Sequence, residues 1–528
     1  MRRRAFACLV SALCLALFAL VPSSALAQRG IELRPIGLYE TGIIDDSGVE
    51  IGAFDPATAR FFASNAADNS VLVLDLAEPW APTLVQAIDL APFGDGVNSV
   101  AVSDGVLAVA VEADPKQAPG TVAFFDTASL ALLAQVQVGA LPDMLTFTPD
   151  GSKVVVANEG EPVDYCTTGL DVDPVGSISI IDLSGGVAAL TQASVATAGF
   201  GAFDAGAPAG VRIFGPGASV SQDLEPEYVA VSPDSSTAWV ALQENNALAV
   251  VDLLTATVTQ IVPLGWKDHS TFRNGLDASN RDDVVRIRPW PVRGQFQPDA
   301  IAAFETGGAT YLVTANEGDA RDYDCFVDEE RIEDVDLDPA AFPNAAFLRQ
   351  EEQLGRLKVS LANGDTDGDG RYEELYSFGA RSLSIWSAAG DLIYDSGNEL
   401  EVLTAGAVPG DFNSSDGGGF DNRSDDKGPE PEGVVVGQFR GRSYAFLGLE
   451  RVGGVAVWDV TEPNAPFFVT YVNTTNYGGD LDAGEAGNVG PEGLVYIPLA
   501  ESPIARALLV VTYEVSGTVQ VFSILPQT

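Results

Sequence analysis

A short pattern that recurs seven times limits the folds open to this 528-residue chain more than any other feature. Each copy starts with an acid or amide, continues as an apolar run, reaches a second polar residue and ends with another apolar run. The opening residues are Glu50, Asn98, Asp143, Glu227, Asp299, Glu432 and Glu492. The second polar residues are Asn65, Glu112, Glu159, Glu244, Glu317, Glu450 and Glu514.

The clearest copy is Gly428 to Val460, in which Val, Tyr, Phe and Trp crowd short runs between Gly, Arg, Ser and Pro residues. This composition and run length indicate β-strands. A unit of three or four strands cannot bury both its faces, whereas a closed ring of such units buries both and leaves few exposed sheet edges. The repeats therefore predict an all-β fold, a seven-bladed β-propeller with long inter-blade insertions.

The spacing of the copies predicts where the insertions lie. We expect one propeller domain over residues 28–528, with a Gly- and Ala-rich insertion at about 185–216 and an acid-rich accessory insertion at about 319–428. Residues 1–27 have the form of a signal peptide: Arg2 to Arg4, an apolar run from Leu9 to Val21, and the Ala25-Leu26-Ala27 cleavage pattern. The chain is thus predicted to be exported, periplasmic or extracellular, with no transmembrane segment.

Charge narrows the classes of partner. The chain has 74 acidic against 28 basic residues and a net charge of −46. Such a field repels nucleic acid and concentrates cations. We therefore expect cations as partners, together with a small-molecule, phosphate or surface ligand, and a monomeric protein. The alternative explanation of the bulk charge is an acidic surface that maintains solubility.

Propeller geometry predicts where the recurring acids meet. Residues just before the innermost strand of each blade converge at one channel mouth, and the next, antiparallel strand returns to the same mouth. Carboxylates crowded there cannot all stay ionised without cations, and oxygen ligands favour calcium. The candidates are Asp143, Glu159, Glu227, Glu244, Asp299, Glu317, Glu432, Glu450, Glu492 and Glu514, beside Glu50 and Glu112. Alternatively, these acids accept backbone hydrogen bonds that fasten neighbouring blades.

Two cysteines follow the predicted cleavage site, in loops that share a pattern. Ala157-Asn158-Glu159-Gly160 leads to Cys166, and Ala315-Asn316-Glu317-Gly318 leads to Cys325. Equivalent loops of two blades bring both cysteines to one face, which favours a Cys166–Cys325 disulfide in an exported chain. The alternative is a pair of buried free thiols.

A local motif predicts a second calcium site. Asp365, Asp367 and Asp369 occupy positions 1, 3 and 5 of a calcium loop, and Gly370 occupies position 6. Position 12 departs from the pattern, since Tyr376 replaces the usual Glu, so Glu373 or Glu374 would complete the ligand shell. The alternative is a solvated acidic turn.

Conventional catalytic signals are scarce. His269 is the single histidine, which excludes a multi-histidine zinc site and leaves one possible base for a serine triad. Its polar surroundings favour a binding or loop-capping role over catalysis. The catalytic residues of any enzyme activity stay unassigned.

Four longer segments carry a resemblance to a known family. They are PLGWKDHSTFRNGLDASNRDD (263–283), QPDAIAAF with YLVTANEGDARDYD (297–324), SFGARSLSIW (377–386) and NRSDDKGPEPEGVVVG (422–437). These resemble the choice-of-anchor I domain family, exported bacterial proteins similar to mesenchyme-specific cell-surface glycoproteins. The resemblance implies a seven-bladed propeller on a secreted or surface protein.

The leading hypothesis is a secreted, calcium-binding β-propeller with a binding or matrix- and surface-organising role. The alternative is a calcium-dependent phosphoesterase, of alkaline-phosphatase or phytase type, or a lactonase-like hydrolase that uses rim carboxylates.

Overall fold

A computed structural model describes residues 30–167 and 172–527. The predicted signal peptide at 1–27 lies outside the described residues.

Seven four-stranded sheets contain most of the strands. The first two comprise β2 (Gly52–Asp55), β3 (Arg60–Asn65), β4 (Ser70–Asp75) and β5 (Thr83–Asp89), then β6 (Gly96–Ser103), β7 (Val106–Glu112), β8 (Pro119–Asp126) and β9 (Leu132–Ala140). The third and fourth comprise β10 (Pro142–Phe147), β11 (Lys153–Asn158), β12 (Ser177–Asp182) and β13 (Val195–Gly199), then β14 (Val229–Val231), β15 (Thr237–Leu242), β16 (Ala247–Asp252) and β17 (Thr257–Pro263).

The remaining three sheets follow the same up-and-down order. The fifth and sixth comprise β20 (Ile301–Thr306), β21 (Ala309–Asn316), β27 (Ser382–Ser387) and β28 (Leu392–Asp395), then β29 (Pro431–Phe439), β30 (Arg442–Leu449), β31 (Val455–Asp459) and β32 (Phe467–Val472). The seventh joins β33 (Pro491–Ile497), β34 (Leu508–Tyr513) and β35 (Thr518–Pro526) to β1 (Ile31–Glu40), the first strand of the described chain.

The sheets close into a ring. Each innermost strand contacts the innermost strand of the next sheet, in the order β2, β6, β10, β14, β20, β29 and β33, and β33 contacts β2 again. The antiparallel pairing of β1 with β35, from Ile31 opposite Pro526 to Glu40 opposite Thr518, ties the two ends of the chain together. The predicted all-β propeller is confirmed.

Packing explains why the sequence indicates the middle strands of a sheet more clearly than the outer strand. The middle strands β3 and β4 are buried on both faces, whereas only one residue of the outer strand β5 is buried. Strands buried on both faces are continuous apolar runs, and the cores lie between neighbouring sheets. Phe62 and Val73 of the first sheet, for example, pack with Val100 and Val109 of the second.

An aspartate ends the third strand of several sheets for a local reason. The carboxylates of Asp75, Asp182 and Asp252 each accept a hydrogen bond from the backbone N–H two residues later, at 2.8 to 3.0 Å. Such bonds stabilise the turn that leads to the outer strand.

Both predicted insertions contain strands that belong to the propeller sheets, so neither segment consists of inserted residues alone. The 185–216 segment contains β13, whose sequence VATAG is mostly exposed and gives no apolar pattern. The 319–428 segment contains β27 and β28, because the connection between the second and third strands of the fifth sheet extends from Asn316 to Ser382.

Residues 266–295 join the rest of the 319–428 segment in one accessory region, which has a small core of its own that includes Leu276, Trp290, Ile332 and Leu354. Its strands are β18 (Trp266–Asp268), β19 (Arg293–Gln295), β22 (Asp322–Tyr323), β23 (Phe326–Val327), β24 (Glu329–Arg331), β25 (Lys358–Ser360) and β26 (Tyr376–Ser377).

Helices are few and short. They are α1 (Val220–Asp223), α2 (Ala345–Leu348) and α3 (Glu399–Ala407), with 3-10 turns at Val187–Ala189, Gln192–Ser194, Gly201–Phe203 and Phe272–Asn274, and a kinked π-type turn at Glu351–Gly355. Within the described ranges, no helix has the length and apolar character needed to cross a bilayer.

The predicted disulfide is present and joins Cys166 to Cys325, which are 159 residues apart. It connects the loop after β11 to the loop after β21. A crosslink over so long a segment restricts the unfolded chain strongly.

Replacing both cysteines, Cys166→Ser with Cys325→Ser, should lower the free energy of unfolding by about 2–4 kcal/mol, because the unfolded chain gains conformational entropy. Urea denaturation of the variant and of the reduced wild-type protein measures this effect, and the two should agree. Equal stability of the oxidised wild type and the variant would contradict the prediction.

Candidate cation site at the channel mouth

Six of the seven sheets present one acid at the common mouth, at or just before their innermost strand. Asp143, Glu432 and Glu492 are the second residues of β10, β29 and β33. Each lies inside a shift of register that begins at the preceding proline and ends two residues after the acid. Such bulges re-aim side chains. The second sheet has an amide there instead, and Asn98 Nδ2 donates to the carbonyl of Pro142 at 3.1 Å.

The structure brings the predicted acids together. Each acts electrostatically on at least one other member of the group, which we call the mouth carboxylates. They are Glu50, Glu112, Asp143, Glu159, Glu227, Glu244, Asp299, Glu317, Glu432, Glu450, Glu492 and Glu514. Asn65, at the equivalent place in the first sheet, exchanges hydrogen bonds with Asp68 and so stabilises its own turn.

Burial and mutual repulsion shift the ionisation of this group. Burial, followed by the charges of Glu514 and other mouth carboxylates, raises the pKa of Glu50 to about 7. Burial and neighbouring acids raise the pKa of Asp143 to about 7 as well. The same two causes hold the pKa of Glu227 and of Glu492 well above the ordinary value. Fully ionised mouth carboxylates are therefore unfavourable without compensation.

Several mouth oxygens lack hydrogen-bond partners. Glu227 and Glu244 are 8% and 7% exposed, and their Oε2 atoms have no partner in the described part of the chain. The Oε2 atoms of Glu432 and Glu492 are likewise buried and have no hydrogen-bond partner among the described residues. No backbone amide of residues 30–167 or 172–527 donates to the Glu227 or Glu432 side chain, so these acids do not fasten the sheets in that way. A buried carboxylate oxygen without a partner requires a proton or a cation.

A cavity of about 370 Å³ opens between the third, fourth and fifth sheets. Its lining is almost wholly polar: Asp143, Glu159, Glu161, Glu227, Glu244, Asp299, Asp319, Ala320, Arg321, Asp322 and Tyr323. Arg321 is the single basic residue of this lining, and its guanidinium is already paired with Asp223 at 2.6 Å and Glu225 at 2.8 Å. The cavity therefore has a large uncompensated negative charge.

The two disulfide-linked loops form walls of the cavity. The Tyr323 hydroxyl donates to Glu161, and Lys116 also pairs with Glu161. The backbone N–H of Tyr165 donates to the carbonyl of Asp324 at 3.2 Å beside the disulfide. The crosslink thus holds together the loops that supply these acids.

Sequence analysis missed three acids of the cavity lining, Glu161, Asp319 and Asp322. Glu161 and Asp319 each follow the shared Asn-Glu-Gly segment directly, two residues after Glu159 and Glu317. The signal was therefore available as an acid repeated at equivalent positions of both loops.

A lysine occupies the other side of the mouth. Lys427 Nζ lies 2.6 Å from Glu317 Oε1, 3.8 Å from Glu430 Oε2 and 3.9 Å from Asp319 Oδ1. Carboxylate oxygens of Glu317, Glu430 and Glu450 lie within 4.8 Å of one another, an arrangement suited to a metal ion. The ammonium group of Lys427 therefore acts as a built-in counter-ion on this side.

Two arginines add to that compensation. Arg423 pairs with Glu430 at 2.7 Å, and Arg451 pairs with Glu450 at 2.8 Å. Neither these cations nor Glu430 was singled out from sequence, although Glu430 is two residues before Glu432. The mouth is therefore divided into a lysine side, at the fifth and sixth sheets, and the carboxylate cavity.

The predicted calcium loop gathers part of its ligand set. Oxygens of Asp365, Asp367 and Glu373 lie within 4.8 Å of one another, in a partly exposed loop between β25 and β26. Asp369 is not in that group, and its Oδ1 accepts the backbone N–H of Arg371 at 2.8 Å. Of the two candidates for closing the loop, Glu373 lies at the site, whereas Glu374 pairs with Arg293.

His269 braces a loop. It is 1% exposed, and its Nδ1 lies 2.6 Å from the carbonyl oxygen of Asn274. Burial and the charge of Lys267 hold its pKa well below the usual value, so the ring is neutral and Nδ1–H donates. Because burial and the charge of Lys267 oppose proton uptake by the ring, His269 is poorly suited to act as a general base.

Comparison with known proteins identifies a family and two curated relatives. The sequence model of the choice-of-anchor I domain matches residues 50–463. Gigasin-3a of Magallana gigas is 32% identical over 190 residues, which are 34% of this chain and 66% of that protein. The mesenchyme-specific cell surface glycoprotein of Strongylocentrotus purpuratus is 29% identical over 247 residues, 39% of this chain and 31% of that protein.

The chain thus spans less than two thirds of the length of either curated relative. Among solved structures, Kuenenia stuttgartiensis hydrazine synthase aligns with a TM-score of 0.47 at 13% identity, over 92% of this chain and 98% of that one. Streptogramin B lyase aligns with a TM-score of 0.44 at 9% identity, over 94% and 99%. These similarities indicate nothing about ligand or activity.

In calcium-free buffer, the free energy of unfolding should fall as the pH rises from about 5 to 8, by a total on the order of 3 kcal/mol. Glu50 and Asp143 have folded-state pKa values of about 7, so the folded state keeps protons that the unfolded state has lost. Urea denaturation at several pH values measures the slope. In the Glu50→Gln, Asp143→Asn double variant the free energy of unfolding should depend less on pH. A wild-type free energy of unfolding that rises between pH 5 and 8 would contradict the prediction.

Replacing Lys427 by Met should lower the free energy of unfolding by about 3 kcal/mol or more, because it leaves Glu317 buried without its counter-ion and removes one of the cations that face Glu430. Calcium should recover part of that loss, since Glu317, Glu430 and Glu450 then surround a free position. Thermal melts with calcium or a chelator measure both effects.

The matched control is Lys153→Met, a lysine without a salt bridge in the described ranges, which should behave as the wild type does. A Lys427→Met protein with wild-type stability in chelator, or with no extra gain from calcium, would contradict the lysine's role as counter-ion.

Proposed function

Since the chain belongs to the choice-of-anchor I domain family, we propose that it is an exported, calcium-binding β-propeller with a binding or matrix-organising role at a cell surface. The carboxylate cavity would be its principal calcium site. The observation that carries this proposal is the pair of buried, unpartnered oxygens of Glu227 and Glu244 in a cavity that also contains Asp143, Glu159 and Asp299.

The chemistry of the cavity favours calcium over other metals. Calcium binds six to eight oxygen ligands in flexible geometry, and carboxylates from three neighbouring sheets supply such a set. Zinc prefers histidine and cysteine, which the cavity lining does not contain. Magnesium requires near-ideal octahedral geometry and keeps most of its waters, so a dense carboxylate shell suits it less well.

The exposed loop at Asp365 would hold a second calcium ion. Asp365, Asp367 and Glu373 supply the side-chain oxygens, and glycines 368 and 370 have positive φ angles that permit the tight turn. Because this loop lies in the accessory region, its ion would stabilise that region and leave the mouth unchanged.

Surface binding fits both the relatives and the site. One relative is named as a cell surface glycoprotein. A calcium ion in an open cavity retains positions for water or for an oxygen of a ligand, so it can bridge the protein to an anionic group. Phosphate, carboxylate and sulfate groups of surface polymers have that chemistry.

Phosphoester or lactone hydrolysis has less support. The sole histidine is buried, so any proton transfer at the mouth would use a carboxylate. Glu317, one of the acids suited to hold a catalytic metal, is paired with Lys427. The experiment below therefore includes a test for metal-dependent hydrolysis.

The Glu227→Gln, Glu244→Gln double variant should lose one class of calcium site, with affinity reduced at least about tenfold, because two ligand charges are removed. Its free energy of unfolding in chelator should be equal to or above that of the wild type, since uncompensated buried charge disappears. Isothermal titration calorimetry at pH 7.5 and urea denaturation measure these quantities.

Two controls sharpen the test. Asp482→Asn changes an exposed acid outside both sites and should bind calcium as the wild type does. Asp365→Asn with Asp367→Asn should lose a different class of site. Calcium binding by the Glu227/Glu244 variant that equals that of the wild type in calorimetry would refute the cavity site. Calcium-dependent hydrolysis of a phosphomonoester or lactone panel that is lost in this variant would favour the hydrolase alternative.

A further inference from the structure

The accessory region contains a second buried acid cluster that lies apart from the mouth. It comprises Asp277, Asp282, Glu401 and Asp421. The charges that act most strongly on Asp421 are those of the other three, and no mouth carboxylate is among them. Asp277 and Asp282 lie in the NGLDASNRDD segment, and Asp421 precedes the NRSDDKGPEPEG segment.

Three of these acids are almost fully buried. Asp277 and Glu401 are 1% exposed, and Asp421 is 2% exposed. Glu401 lies on α3, and its Oε2 accepts the backbone N–H of Asp277 at 3.0 Å. Three separate segments of the chain therefore meet at this cluster.

Two oxygens in the cluster have no partner. Asp421 Oδ1 accepts the Ser424 hydroxyl at 2.5 Å, but Asp421 Oδ2 has no hydrogen-bond partner among the described residues. Asn413 is fully buried, and its Nδ2 donates to Ser424 Oγ at 2.8 Å and faces Glu401 Oε1 at 3.4 Å. Its Oδ1 likewise has no partner in the described ranges.

The charges of the cluster do not balance. Arg381 pairs with Glu401 at 2.6 Å, and Arg286 pairs with Asp282 at 3.1 Å. Two of four carboxylates are thus compensated, which leaves Asp277 and Asp421 and a formal charge of −2 when both are ionised. Among the described residues, the Asp277 carboxylate accepts only backbone N–H groups, from Arg286 and Ser279.

We propose that this cluster is a divalent cation site of the calcium type, with Asp277, Asp421 and Asn413 Oδ1 as ligands and Glu401 and Asp282 nearby. Its donors are all oxygens, and its charge matches that of one divalent ion. The ion would fasten the 274–283 and 411–426 segments to α3.

The position of the site gives it a structural consequence. The segment after Asp421 continues through Arg423 to Lys427 and Glu430 on the lysine side of the mouth. An ion at the cluster would fix the start of this segment. It would therefore help to hold the counter-ion Lys427 in place.

Native mass spectrometry and calorimetry of the full chain with calcium at pH 8 test the proposal. Asp421→Asn and Asp277→Asn should each bind one calcium ion fewer than the wild type and gain less in melting temperature from calcium. Asp482→Asn should match the wild type. The Glu227→Gln, Glu244→Gln variant should lose its own ion and retain this one, so the two sites are distinguished.

Amide hydrogen exchange of the wild type provides a readout that needs no variant. Calcium should slow exchange in residues 411–426, and it should do so equally in the Glu227/Glu244 variant. Equal ion counts in wild type and folded Asp421→Asn and Asp277→Asn proteins, or exchange at 411–426 that does not respond to calcium, would overturn the proposal.

Discussion

Repulsion between carboxylates at the channel mouth is the constraint on which much of this structure depends. A propeller places the same repeat position of every sheet around one axis, so an acid that is harmless in one sheet is multiplied in the ring. Burial adds to the cost, because each carboxylate loses water as it approaches its neighbours. Relief can come from protons, as for Glu50 and Asp143, from basic side chains, as for Glu317 with Lys427, or from a bound cation.

The loops decide which form of relief acts where. The segment before β29 delivers Arg423 and Lys427 to one side of the mouth. The disulfide-linked loops deliver Glu161 and Asp319 to the other side, where Arg321 is already neutralised by Asp223 and Glu225. The sheets are alike at this position, but their insertions are not, and the asymmetry of the mouth follows from the insertions.

This division also explains what could be predicted from sequence. The strands, the mouth carboxylates and the Cys166–Cys325 pair follow from periodicity, because equivalent positions of a repeat occupy equivalent places. The strand β13 was missed because an outer strand needs no apolar pattern, and β27 because its connection is long. Lys427 and the Asp277–Asp421 cluster depend on how non-repeating segments fold back over the ring, and nothing local in the sequence determines that.

Cation binding at several sites would tie the stability of this protein to its surroundings. A ligand at ten times its dissociation constant stabilises the folded state by about 1.4 kcal/mol per site. Calcium sites of extracellular modules have dissociation constants of about 10⁻⁴–10⁻³ M, which suits the concentrations found outside cells. The cavity, the Asp365 loop and the Asp277–Asp421 cluster would together contribute about 4 kcal/mol, comparable to the upper range for one disulfide. A chain that concentrates so many acids would then reach full stability only where both calcium and an oxidising environment are present.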